Sequence, residues 1–417
     1  MAAAGLRLGG ALVAARRRVE ALEHDFMIKV VIVGGGFGGV RAALKLSGHS
    51  EVEVKLIAEN TYFEYHAALY RSATGRSPLE VAIPLQNFFA KSKNIEVVQD
   101  KVETIDTKAR HVVGASGSRW NYDKLILATG SVTAYFGIKG LKRYSHGVKS
   151  IHEALELKRH LHDTLVSGHA ESNYVVIGGG ATGVELSAEL TAYISSIRRR
   201  HHLLERPFAV SLVEAAERVV PQLPLSYSAR IQRRLQKLGV NLYLKTPVTA
   251  ETYESIKLPG GSIHTHTVIW TAGVTNNPLF AKHDFFKLGR GQKVSVDKHL
   301  QAHEDIYVIG DSAETEFSGM AQTALHDANF VADNLLRQLH GRPLKTYQAK
   351  RPIYAIPVGP RWSAIRWGRA EIYGYPGWIL RRLADLRLYL KFLPLGKALT
   401  TWRFGITIDE NCPICSS

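Results

Sequence analysis

Cysteine is nearly absent. There are 2 in 417 residues, Cys412 and Cys415, both at the far C-terminal end. No internal disulfide framework can form from them, which fits a reducing compartment. Nowhere does the chain run for about 18 apolar residues without a charge, so a membrane-spanning helix is not expected. Acid is in deficit as well, with 37 Asp and Glu against 53 Lys and Arg, a formal charge of +16. The rest is ordinary: 45% hydrophobic and 22% charged residues exclude the disordered, collagenous and disulfide-rich secreted classes. The length leaves room for two or three domains of about 100–200 residues each. A basic excess asks for an anionic partner, either nucleic acid or an anionic membrane. No helix-turn-helix, zinc-finger or RNA-recognition signature accompanies it, so nucleic acid is set aside.

Residues 1–26 stand apart. Arg7, Arg16, Arg17 and Arg18 occur there, with no acid before Val19. The segment reads either as a targeting sequence or as a short extension. It has no serine and no clear cleavage site, and Met27 directly precedes a strand, so the extension is expected.

Ile28–Val33 is a β-branched run of the kind buried in a parallel sheet. It opens into Gly34-Gly35-Gly36-Phe37-Gly38-Gly39, in which Gly34, Gly36 and Gly39 satisfy G-x-G-x-x-G. The first glycine permits the tight turn, the second admits a pyrophosphate, and the third lets the helix pack on the strand. Val40, Ala43, Leu44 and Leu46 then give a helical face. Glu53–Ala58 reads as the next strand, and Glu59, 20 residues after Gly39, is placed to bind ribose hydroxyls.

The same unit recurs. Strand 174–177 leads into Gly178, Gly180, Thr182 and Gly183, a helix continues through Val184, Leu186, Ala188 and Leu190, and strand 209–213 ends at Glu214. The interval from Gly183 to Glu214 is 31 residues, and basic Arg198–His202 within it suggests a lengthened helix or an insertion. Glu214 is followed by Ala215 and Ala216 with no arginine, so a ribose 2′-hydroxyl, and hence NAD rather than NADP, is favoured. Two such units imply two dinucleotides: a tightly held flavin and an exchanging nicotinamide, with the protein positioning them.

Three further segments resemble the two-dinucleotide flavoprotein reductases: Leu125–Gly130, with Thr129 and Gly130 in its ATG turn; Val268–Val274, with Gly273; and Ile306–Asp311, with Gly310 and Asp311. By that resemblance Asp311 bonds the ribityl chain of FAD. Within the superfamily the chain resembles type II NADH dehydrogenases, single-chain NADH:quinone oxidoreductases. The similar stretches are Gly183–Leu190, Arg218–Pro221 and Ala321-Gln322-Thr323-Ala324-Leu325-His326, where His326 replaces the second glutamine of that family's A-Q-x-A-x-Q motif. The resemblance implies FAD, NADH as exchanging co-substrate, and a membrane quinone. It places Ala321 and Gln322 at the flavin–quinone junction and Glu185 toward the nicotinamide and flavin as an orienting group or proton relay; a helix-surface carboxylate is the bland reading. His326 is a proton donor or a packing histidine. Disulfide reductases and sulfide:quinone reductases of this superfamily need internal cysteines, which this chain lacks.

Residues 341–417 hold 13 Lys and Arg against 4 Asp and Glu, and four of the six tryptophans. Residues 378–392 read as a helix with Ile379, Leu383, Leu386 and Leu390 on one face, widened by Leu380, Leu388, Tyr389 and Phe392, and Arg381, Arg382, Asp385, Arg387 and Lys391 on the remainder. That pattern suits an interfacial helix whose cations meet anionic lipid, or a dimerisation or core-capping helix. The Cys412–Cys415 pair has C-x-x-C spacing. With no second ligand pair visible, it reads as an ordinary reduced tail, an intermolecular metal or disulfide contact staying open.

The expected architecture is α/β: two Rossmann-like dinucleotide-binding domains, for FAD and NADH, with a C-terminal membrane-surface module. Residues 27–140 and 276–340 form the FAD domain, 141–275 the NADH domain and 341–417 the module. The expected activity is ping-pong, non-proton-pumping transfer of electrons from NADH through FAD to quinone. The expected location is peripheral, on the cytoplasmic face of a bacterial inner membrane or on the mitochondrial inner membrane. A homodimer is a further partner left open. The rivals are a soluble NADH reductase of a small electron-carrier protein and a redox-responsive FAD- and NADH-binding signalling protein.

Overall fold

The computed structural model describes residues 27–166, 172–410 and 412–416; the extension read from residues 1–26 lies outside them. Strand Ile28–Val33 buries its last four residues on both faces, as an uninterrupted apolar run demands. It sits inside a six-stranded sheet ordered Gln301–His303, Ile306–Val308, Lys124–Leu127, Ile28–Val33, Val52–Ala58, Ile95–Gln99. All neighbours are parallel except the first pair, which forms a hairpin. A second sheet, ordered Val240–Tyr243, Ala209–Val213, Asn173–Ile177, Thr267–Trp270, is wholly parallel.

The two sheets share a design. In each, the strand that enters a glycine turn has its next strand on one side and a later strand on the other. Val33 lies opposite Ile57 and Leu127; Ile177 lies opposite Val213 and Trp270. The chain therefore reverses direction across the sheet at that strand's carboxyl end, which opens a crevice there. Helix Phe37–Leu46 covers the first sheet with Val40, Ala43 and Leu46 buried. Helix Ala181–Arg200 covers the second, and its 20 residues account for most of the long interval before Glu214. The two passages between the sheets, Ser131–Thr133 and Val274–Asn276, pair antiparallel and tie the units together.

Beyond helix Ala321–Leu339 comes an antiparallel sheet of Tyr354–Pro357, Ser363–Trp367 and Ala370–Gly374. Helices Tyr375–Phe392 and Leu395–Phe404 follow. Here the polar side expected from the sequence is corrected. Arg381, Arg382 and Asp385, read as part of a lipid- or water-facing polar side, are only 6%, 5% and 0% exposed. They point inward with Tyr389 and Phe392. Ile379, Leu383 and Leu390 of the expected apolar face are exposed, as an interfacial helix needs, and Leu380 with them. The physical reason is that each charge finds a partner in the body of the protein or on its own helix: Arg382 pairs with Glu80, Asp385 with Arg71, and Arg381 with Asp385, the Tyr65 hydroxyl and the Ala67 carbonyl, a far better environment than an unpaired charge could have in the core. Aromatic rings complete the contact: Phe392 lies 5.7 Å from Phe63 and 5.8 Å from Phe88, Tyr389 lies 5.4 Å from Tyr65, and Phe37 of the glycine loop lies 4.9 Å from Phe63.

Candidate active site

Each glycine loop shows its three roles in space. Gly34 and Gly178 take φ of +115° and +112°, and a Cβ on either would strike backbone of Ala128 or Ala272. A Cβ on Gly39 would sit 1.8 Å from the Gly34 carbonyl oxygen, and one on Gly183 1.8 Å from that of Gly178. At Gly36 and Gly180, by contrast, nothing lies within 4 Å of the Cβ position. Both cap their helices in extended conformation without a side-chain partner for the first amides. Two helix N-termini thus present bare amides and positive dipole ends to open space beside a glycine, a cradle that fits a dinucleotide pyrophosphate in each unit.

Each acid directly follows the second strand of its unit. Glu59 ends its strand exposed, 3.6 Å from Lys101 Nζ. Glu214 accepts from the Gly179 N–H at 2.5 Å and the Ala216 N–H at 2.7 Å, so its carboxylate is fixed against its own glycine loop. Beside the first sheet, Ser312 Oγ donates to the Gly130 carbonyl at 2.9 Å and lies 3.2 Å from Thr129 Oγ1. Lys149 Nζ donates to Ser131 Oγ, which donates to Asp311 Oδ2, each at 3.1 Å. Gly310, at φ +72°, is held by Asp327, which accepts from its N–H at 3.0 Å and from the Tyr347 hydroxyl at 2.6 Å. The sequence reading missed Asp327, Tyr347 and Lys149, because none lies in a glycine motif. The signal available was a lone acid at full depth in the helix after Asp311, which a buried face tolerates only with partners.

Gln322 and His326 lie one turn apart at the start of helix Ala321–Leu339. The Gln322 amide donates to the Ile353 carbonyl at 2.7 Å and accepts from the Ile353 N–H at 3.1 Å. His326 Nε2 lies 2.9 Å from the Gln348 carbonyl oxygen. Both side chains thus grip the strap leading to the C-terminal module. Gly273 packs so tightly that a Cβ would meet the Ala134 carbonyl at 2.4 Å and the Phe136 ring at 2.6 Å.

Glu185 is brought to a junction of all three parts. Burial pushes its carboxyl up to about 8, against the pull of Arg381 and Arg71. Those arginines belong to an ion cluster: Arg71 donates to Glu80 at 2.6 Å and to Asp385 at 3.0 Å, Arg382 donates to Glu80 at 3.2 Å, and Arg381 bonds Asp385 and Tyr65. Three guanidinium groups face two carboxylates. Ionised Glu185 would balance the remaining charge, while burial favours its neutral form.

Two crevices for dinucleotides, joined by paired crossing strands, define a two-dinucleotide oxidoreductase. The chain belongs to the pyridine nucleotide-disulphide oxidoreductase family, whose model matches residues 28–328. Within it the chain belongs with the type II NADH:quinone oxidoreductases. It is 30% identical to one from Mycobacterium tuberculosis over 90% of this chain and 87% of that protein. To one from Staphylococcus aureus it is 28% identical, over 90% and 98%. The solved structure of NDH2 from Plasmodium falciparum in complex with NADH superposes with a TM-score of 0.82 at 17% identity, over 91% and 97% of the two chains. The sulfide:quinone oxidoreductase of Aquifex aeolicus shares the fold at a TM-score of 0.74 and 18% identity, over 90% and 92%.

Proposed function

We propose that this protein is an FAD-dependent NADH:quinone oxidoreductase working at a membrane surface. The pair of open glycine crevices on two linked sheets carries the reading. A flavin, once bound, supplies the two-electron chemistry between NADH and quinone. The chain supplies the rest. Gly34, Gly36, Gly38 and Gly39, with Phe37 behind them, cradle one diphosphate; Gly178, Gly180, Thr182 and Gly183 cradle the other. Glu59 and Glu214 take ribose hydroxyls, Asp311 with Thr129 and Gly130 takes the flavin's polyol, and Gly273 keeps the second crossing close. Ala321 opens a helix whose first amides face the flavin unit. Gln322 and His326 fix the strap over that helix. Glu185, neutral near pH 7, holds a proton at its carboxyl oxygen for delivery to the reducing side.

The second substrate explains the outer face of the module. Tyr375, Ile379, Leu380, Leu383, Leu390, Leu395 and Leu399 are exposed on two adjoining helices, fringed by exposed Arg387, Lys391, Lys397 and Arg403. Apolar residues ringed by cations suit the headgroup boundary of an anionic bilayer, where a lipid-dissolved quinone resides. No helix among the described residues is long and apolar enough to cross a membrane. The deciding assay is NADH oxidation by the flavin-loaded protein with a water-soluble quinone, with and without vesicles. A quinone-dependent rate is expected; NADH binding without such a rate would overturn the reading. Co-sedimentation with anionic vesicles tests the surface, and a concentration-dependent dimer that stays in the supernatant would reassign the apolar face.

A further inference from the structure

The C-x-x-C spacing of Cys412 and Cys415 is that of half a tetrahedral metal site, and no second pair stands near it in sequence. The fold supplies one. His162 lies on helix Ile151–Val166, His201 caps helix Ala181–Arg200, and Cys415 lies in the short helix Pro413–Ser416 just after Cys412. One potential ligand atom from each of these four side chains falls within 4.8 Å of all the others. Nε2 of His201 is 3.2 Å from Sγ of Cys415 and 3.6 Å from Sγ of Cys412. A tetrahedral ion with bonds of about 2.3 Å to sulfur and 2.0–2.1 Å to nitrogen sets its N···S edges near 3.6 Å, so His201 already stands at about coordination spacing from both sulfurs. Nε2 of His162 is buried without a hydrogen-bond partner, while its Nδ1 faces the Asp163 carboxylate at 3.5 Å. That is how a metal-bound imidazole is oriented, one nitrogen to the ion and the other to a carboxylate.

We propose that His162, His201, Cys412 and Cys415 form a tetrahedral zinc site that fastens the C-terminal tail to the NADH domain. Sulfur and imidazole donors disfavour magnesium and calcium. Two thiolates cancel the charge of one Zn²⁺, and the two thiol protons leave to solvent on binding. The approach to the site is already anchored. The Ser77 N–H donates to the Thr407 carbonyl at 3.1 Å, the Asp409 N–H to the Gly75 carbonyl at 3.0 Å, and Lys158 Nζ to the Asp409 carbonyl at 2.7 Å. Arg200 donates to the Cys415 carbonyl. The tail therefore runs from the flavin unit to the NADH unit, and the ion closes the clasp at its end. The inference does not depend on the electron acceptor.

The test uses untagged, flavin-loaded full chain prepared under reducing conditions. Elemental analysis should find roughly one zinc per chain. The Cys412→Ser/Cys415→Ser double variant and His201→Ala should each lose it while keeping their flavin. Cobalt offered in place of zinc should give the red-region absorption of tetrahedral thiolate-bound Co²⁺ in the wild type alone. Chelation should lower the wild-type Tm toward that of the variants and expose both thiols to a thiol reagent. The chelation and cobalt measurements use the intact wild type, so they stand even where a variant folds poorly. Wild type that neither holds nor takes up zinc or cobalt with its thiols reduced overturns the site. So do variants that retain as much metal as the wild type.

Discussion

Glu185 shows what a single position can carry. Its carboxyl is pushed from 4.5 up to about 8 by burial, so it stays protonated at neutral pH and ionises in the mildly alkaline range. Folding takes up a proton there. Its contribution to stability is therefore fully present below its ordinary value of 4.5 and declines as pH rises through about 8. Glu185→Gln should flatten that decline in chemical denaturation. If the carboxyl delivers a proton, quinone-dependent turnover of the wild type should fall above pH 8 while the variant shows a lower, level profile. Glu214 makes the complementary case. Glu214→Ala removes the acceptor proposed for the ribose hydroxyls and should lower kcat/KM for NADH by roughly 10-fold or more, with NADPH barely changed; steady-state kinetics with both nucleotides measures the ratio. Glu251 offers a control away from both crevices. Burial raises its carboxyl to about 8, and its Oε2 is buried without a partner. Glu251→Gln should stabilise the fold more at pH 9 than at pH 5, by on the order of 1–3 kcal/mol.

At the scale of elements, helix Tyr375–Phe392 is the instructive one. Its existence and its end before Pro394 were legible from spacing alone. Which polar residues face in was not. Hydrophobic periodicity reports only that two faces differ, and the partners that draw these residues inward, Tyr65 and Ala67 for Arg381, Glu80 for Arg382 and Arg71 for Asp385, lie some 300 positions away. The glycine units were legible to the residue because their constraint is local: a turn and a close packing need glycine at fixed spacing. Asp327 and the histidine pair were not, because what makes them matter is a neighbour brought in by the fold. The buried charges of this helix predict a contrast. Asp385→Ala leaves Arg381 in the interior without a carboxylate and removes one of the two that hold Arg71, and should cost about 3–5 kcal/mol, whereas exposed Arg387→Ala should stay within about 0.5 kcal/mol; denaturant titration distinguishes them. Leu383→Glu with Leu390→Glu should leave that stability intact and reduce sedimentation with anionic vesicles.

For the whole molecule, the basic excess divides into two populations. Arg71, Arg381 and Arg382 serve the interior, while Arg387, Lys391, Lys397 and Arg403 are exposed beside apolar residues. The second population governs attraction to an anionic surface, so vesicle binding should weaken as ionic strength rises past the range where the Debye length falls below about 10 Å. The apolar contribution should persist.

The interleaving of the two sheets has a consequence for how the chain is made. The six-stranded sheet takes strands from residues 28–127 and then waits for Ile306–Val308 to pair beside Lys124–Leu127, while the intervening four-stranded sheet uses only strands from residues 173–270. During synthesis from the N-terminus, the second nucleotide unit can close its sheet while the first still exposes an unpaired edge. The final helices and the tail clasp then emerge onto a body already folded. Birth on the ribosome thus runs middle, first, last, and the exposed edge of Lys124–Leu127 is the point at which a nascent chain most needs protection from misassembly.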